Sequence, residues 1–109
     1  MIQITVFQSD NQVTAFELTG HAESGPYGYD LVCAGVSAVT FGAVNAIMKL
    51  CETDLNIDQG AEGGYLSVQL PKNISSEKLE KIQWLVQGMI VSLETIEESY
   101  GEHVRLNFS

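Results

Sequence analysis

The chain predicts an α/β (α+β) single domain over residues 1–109, in the order ββαββαβ, with one mostly antiparallel sheet packed with two helices. Three observations carry that expectation. Short alternating segments occur near both ends and in the middle. Two long segments repeat apolar residues at spacings of three and four. No linker, low-complexity tract or internal repeat divides the 109 residues, a length that suits one core.

Each element has a local reason. In residues 2–8, Ile2, Ile4 and Val6 point one way and Gln3 and Thr5 the other, which is strand alternation. "SDNQ" reads as a turn. In residues 12–19 the alternation resumes, placing Thr14, Phe16 and Leu18 opposite Val13 and Ala15, so the two segments form a hairpin. Gly20 to Tyr29 is loop, with glycines at 20, 25 and 28 and Pro26. Asp30 reads as a helix N-cap. The helix that follows carries Val32, Val36, Val39, Ala43, Ile47 and Leu50 at helical spacing. It is apolar or small nearly all round, so burial on more than one side is expected, between sheet and second helix or at a subunit contact. "NIDQGAEGGYLSVQL" reads as a second hairpin turning at Gly60 to Gly64. A second helix runs from about Glu77 to Tyr100, with Leu79, Ile82, Val86, Met89, Leu93 and Ile96 as one stripe, and Gly101 fits a C′ stop. "HVRLNF" is a closing strand.

Composition narrows function. Fourteen acidic against five basic residues give a formal charge of −9. That balance argues against direct nucleic-acid binding, which needs clustered Lys and Arg. It suits solubility or a basic partner. The segment "MIQITVFQSD" lacks a basic n-region and a small-residue cleavage site. No run of about 20 residues reads as a membrane span. A soluble cytosolic domain is therefore expected, in which two cysteines are free thiols rather than a disulfide framework.

The stretch "GHAESGPYGYDLVCAGVSA", Gly20 to Ala38, gathers the chemistry. With Asp30 as cap, Cys33 falls in the first helical turn, where unpaired N–H groups and the helix dipole favour a thiolate. His21 lies twelve residues earlier, across a loop able to bring the two together, and can take the thiol proton and return it to a leaving amine. Unpaired N–H groups near Leu31, Val32 and Cys33 can hold an oxyanion. Cys51 is an internal control at the other end of the helix, where the dipole opposes a thiolate. Eighteen helical residues span about 27 Å, against the Cα separation of about 7 Å that a disulfide tolerates, so an unbroken helix excludes a Cys33–Cys51 bridge.

Other roles stay open on spacing alone. Cys33 also fits a buried core thiol. Asp30 can cap the helix or orient His21. Ser37, one turn after Cys33, can hydrogen-bond near the site or back-bond to its own helix. His103 reads as structural, with a second site histidine as its rival role. Glu23, Tyr27 and Tyr29 lie on the loop, which the glycines can let move. The four His and Cys residues lack paired ligand spacing, so no metal and no cofactor is expected.

"GHA", then five residues, then "GYDLVCAGVSAV" resembles the signature of the ribosomal-processing cysteine protease family, Prp. The match is densest from Gly20 to about Asn45, and chain length and element order are compatible throughout. The resemblance implies a bacterial, cytoplasmic thiol protease that removes the N-terminal extension of the twenty-seventh protein of the large ribosomal subunit during ribosome biogenesis. It maps the family's Cys/His pair to Cys33 and His21, its motif aspartate and serine to Asp30 and Ser37, and its hinge glycine to Gly20. It also implies a homodimer with a loop that moves on substrate binding. The acidic surface suits a basic ribosomal protein as partner. Two other classes remain: a non-enzymatic ribosome-assembly or protein-binding module, and a thiol redox sensor.

Overall fold

The computed structural model describes residues 1–20, 28–60 and 65–109, with backbone alone at 28–30. The elements are β1 (Ile2–Ser9), β2 (Gln12–Thr19), α1 (Gly28–Leu50), β3 (Asn56–Asp58), β4 (Tyr65–Gln69), α2 (Ser76–Tyr100) and β5 (Val104–Phe108). The expected order ββαββαβ is the one observed. The five strands form one sheet in the order β3-β4-β2-β1-β5. Every pair is antiparallel except β1–β5, which is parallel.

The topology explains why both helices share a face. From the pairings, β3 runs parallel to β2 with β4 between them, and β5 runs parallel to β4 with β2 and β1 between them. Each helix therefore crosses between parallel strands, in opposite lateral directions and from strands of opposite sense. Right-handed crossovers then put α1 and α2 on the same side. The core lies there: Ile2, Ile4, Val6, Phe16, Leu66, Val68 and Val104 from the sheet meet Val32, Val36, Val44 and Ile47 of α1 and Ile82, Val86, Met89 and Leu93 of α2.

The β1–β2 turn has positive φ at both Asp10 and Asn11, the conformation of a two-residue hairpin turn whose twist matches the strands. Strand alternation is broken once. The register slips between Phe7 and Gln8, so that Val13 pairs with Gln8 and Ala15 with Phe7, leaving Thr14 as the extra residue of a bulge. Val13 thereby turns onto the same buried face as Phe16, correcting the expectation that the two oppose each other. The side chain of Gln83 on α2 fastens this irregular point: its Oε1 accepts from Val13 N (2.9 Å) and its Nε2 donates to Val13 O (2.8 Å).

Four helix details differ from the sequence reading. α1 is already helical at Gly28, so Asp30 is its third residue and not its N-cap. The backbone ladder starts before the carboxylate, a position that still favours an acidic residue near the positive helix end. Leu31–Leu50 is long and apolar enough, by length and composition alone, to cross a bilayer. That overturns the expectation of no such run: Gly, Ala, Ser and Thr separate the larger apolar residues without adding charge, and Lys49 is the single charged residue. In the fold the helix gives one stripe to the core. Within the chain it meets the sheet and α2, but it is not covered all round: its outer side is open, with Leu31 61% and Phe41 40% exposed. Thr40, fully buried, satisfies its hydroxyl by donating to Val36 O (2.6 Å). α2 is capped by Ser75, whose side chain accepts from Lys78 N. Gly101 stands at its end with φ −60°, right-handed rather than the left-handed C′ conformation that was expected.

Candidate active site

Two residues singled out in the sequence, Gly20 and His103, lie at the end of the sheet where β2 finishes. Gly20 follows β2 with φ +110°. A Cβ there would collide with the Met1 carbonyl, and that oxygen belongs to backbone leading directly into β1. Glycine is thus required twice, by its dihedral and by close approach. The same first residues of β1 meet His103, whose carbonyl accepts from Ile2 N (2.9 Å) while its own N–H donates to Tyr100 O (2.9 Å). Gly20 and His103 therefore flank the start of β1, at the end of the sheet where α2 stops.

α1 starts at that end too. The nearest neighbour of a Cβ added at Gly35 would be Ile96 Cδ1 (3.7 Å), which sets the first half of α1 against the last half of α2. At the far end, Lys78 Nζ in the first turn of α2 donates to Glu52 O beyond the end of α1 (3.3 Å), so the two helices are antiparallel. Cys33, the sixth residue of α1, is half-buried and packs against the core cluster. Ser37 is exposed one turn later, its carbonyl accepting from Thr40 Oγ1 (3.4 Å).

The longer helix shifts the oxyanion argument. In a helix starting at Gly28, the N–H groups of Val32 and Cys33 are spent on carbonyls four residues back. The free donors are those of the first turn, Gly28, Tyr29 and Asp30. His21, Glu23, Gly25, Pro26 and Tyr27 lie outside the described residues, as do the side chains of Tyr29 and Asp30.

Cys51 behaves as the internal control predicts. It follows the last residue of α1, is 4% exposed within the core, and is free, as is Cys33. The chain turns there in a helix-ending motif: Thr53 N donates to Met48 O (3.3 Å) across Glu52, which holds φ +48°. Among the described residues no group of three or more His, Cys, Asp or Glu side chains is placed to hold a metal ion.

One surface feature had no part in the sequence reading. Trp84 is 74% exposed on α2. The signal was available, because Trp84 sits two residues from both Ile82 and Val86 and so points away from the apolar stripe they define.

A half-exposed thiol near the N-terminal end of a core helix, at the same end of the fold as a glycine-fixed strand end, defines a candidate thiol hydrolase. The comparisons specify it. The family model described as "Cysteine protease Prp" matches residues 1–105. The ribosomal processing cysteine protease Prp of Bacillus subtilis (strain 168) is 48% identical over 107 residues, covering 97% of this chain and 96% of its own length. The protein of the same name from Staphylococcus aureus (strain Mu50) is 42% identical over 107 residues, covering 98% and 96%. Among solved structures, S. aureus Prp in complex with a substrate peptide superposes with TM-score 0.85 at 39% identity, covering all of both chains. The same protease with a covalently linked product peptide gives 0.86 at 41%, again over all of both chains. This chain belongs to the cysteine protease Prp family, and it is a cysteine protease.

Proposed function

We propose that this protein removes the N-terminal extension of the twenty-seventh large-subunit ribosomal protein in the bacterial cytoplasm, with Cys33 as nucleophile and His21 as general base. The observation that carries the reading is the family match across residues 1–105, together with relatives of nearly equal length that are named for ribosomal processing. The choice of Cys33 over Cys51 is supported by exposure: a peptide can approach the first and not the second.

In this mechanism the Cys33 thiolate attacks the scissile carbonyl carbon and forms a C–S bond, and the carbonyl oxygen takes up negative charge. First-turn N–H groups of α1 are the donors proposed to stabilise it. The C–N bond then breaks, and protonated His21 gives its proton to the leaving amine. His21 next takes a proton from water, whose oxygen attacks the thioester. The C–S bond breaks, which restores the thiolate and releases the acid. Asp30 and Ser37 support the pair, and Gly20 is the hinge of the segment that carries His21. The protein acts without a cofactor or metal, as a homodimer. The uncharged outer face of α1, with Leu31, Ala34, Ala38 and Phe41 exposed, supports that assembly.

Cleavage of a synthetic peptide spanning the ribosomal protein's extension tests the reading. Cys33→Ala and His21→Ala are expected to abolish cleavage while the circular dichroism of the fold is kept. Full activity in Cys33→Ala would refute it.

A further inference from the structure

An open groove of about 390 Å³ lies between the β1–β2 turn and the first half of α2, within the range of about 300–1,000 Å³ usual for ligand sites. Among the residues that line it are Asn11 and Gln12 of the turn and Leu79, Glu80, Trp84 and Gln87 of the helix. Glu80 and Trp84 are four residues apart, so they share one face of the helix. The groove-lining residues carry one acid and no base. Two neighbouring lysines are engaged elsewhere: Lys81 pairs with Glu77 (3.4 Å), and Lys78 bonds to the Glu52 carbonyl (3.3 Å). The Gln83–Val13 clamp ties α2 to the hairpin at this point, so the two walls are held before anything binds.

We propose that this groove is an exosite for a cationic peptide segment, with an Arg or Lys side chain seated between the Trp84 indole face and the Glu80 carboxylate. An indole left this exposed on a chain of charge −9 attracts a cation through its ring face, and the carboxylate adds to it. The groove is remote from Cys33. Trp84 lies twelve residues before Ile96, the residue level with Gly35, or about 18 Å along α2. An extended peptide needs about six residues to cover that distance. The owner of the segment rests on the protease reading: it is the basic body of the ribosomal protein being processed.

Trp84 is the single tryptophan of the chain, so indole fluorescence reports this groove alone. The full-length Cys33→Ala protein is titrated with a short Gly/Ser peptide carrying arginines, and with the same peptide carrying citrulline. The arginine peptide is expected to change Trp84 fluorescence saturably and to bind at least about threefold more tightly than the citrulline peptide. Glu80→Gln is expected to weaken it about two- to fivefold, in line with the strength of an exposed cation–π or ion pair. Trp84→Ala, checked for fold by circular dichroism, is expected to weaken binding about two- to fivefold by calorimetry. Equal binding of the two peptides, or no effect of Glu80→Gln, overturns the proposal. So does a fluorescence change that follows protein concentration without peptide, because a second copy then occupies the groove. A parallel arm measures cleavage: Glu80→Gln should raise KM for a substrate retaining its basic body and leave the short extension peptide unchanged. Absence of any cleavage would refute the protease reading and leave the binding titration to decide the groove.

Discussion

Gly20→Ala is the substitution whose cost follows most directly from the structure. With φ at +110° an alanine is strained by about 1–3 kcal/mol. Its Cβ also meets the Met1 carbonyl, which has no rotamer to escape through. Relief requires the first residues of β1 to move, and the bond from Ile2 N to His103 O (2.9 Å) is the one at risk, worth about 1 kcal/mol net. Against these stands a gain of about 0.5–1 kcal/mol from a stiffer unfolded chain. The sum is a destabilisation of about 1–3.5 kcal/mol, a substantial part of the 5–15 kcal/mol typical of a domain. Urea unfolding at fixed protein concentration should show the midpoint falling by about 1 M with unchanged slope, for a slope near 2 kcal/mol/M. An unchanged midpoint would refute the steric argument. The proposed hinge role makes a separate demand: cleavage must fall further than the loss of folded protein accounts for.

Three further outcomes are expected. Gln83→Leu leaves the Val13 N–H and C=O without their amide partner and should cost about 2 kcal/mol, read as a fall in thermal midpoint of about 8–16 °C; a shift under a degree would show that the clamp is dispensable. Glu52→Gly removes a non-glycine residue from φ +48° and should stabilise by about 0.5 kcal/mol, the left-handed strain of about 1 kcal/mol less the entropy a glycine adds to the unfolded chain; a lower midpoint would contradict this. A thiol reagent should label half-buried Cys33 at once and Cys51, at 4% exposure, only on opening of the core; equal rates counted by mass spectrometry would contradict the burial difference.

Periodicity carried most of the fold because it reports which face of each segment meets the core. The stripe Ile82, Val86, Met89 and Leu93 is buried as its spacing implies, and the alternation of Ile2, Ile4 and Val6 matches the buried face of β1. The misreadings of the bulge, of the α1 start and of Gly101 share a cause: they concern backbone events that no single residue type announces. Thr14 is compatible with either a regular strand or a bulge, and the register slip becomes visible only against Phe7 and Gln8. Asp30 suits both a cap and a first turn, so helix length beyond it was not encoded in that residue. Cys33 and Gly20 were legible as candidates from their motif, whereas the steric demand of Met1 on Gly20 comes from a residue nineteen positions away in sequence. The Trp84 groove pairs a turn with a helix about seventy residues later, a juxtaposition only the folded chain supplies.

The revised start of α1 alters the proposed chemistry less than the change of turn suggests. Moving the helix start to Gly28 takes the free N–H groups one turn away from the Cys33 backbone. A helical side chain, however, leans toward the N-terminus and covers the turn before its own Cα. A thiol on residue 33 therefore reaches back toward the level of Tyr29 and Asp30, where the proposed oxyanion donors are. The same lean carries residue 51 toward Ile47 and Met48, into buried apolar surroundings. One helix thus presents its two cysteines to opposite environments, with N–H groups that have no intrahelical acceptor near one and buried core around the other. The proposed nucleophile is accordingly distinguished by which end of α1 it occupies, and a cysteine moved to position 37, with Cys33 replaced by alanine, should not restore cleavage although it would share the same helix face.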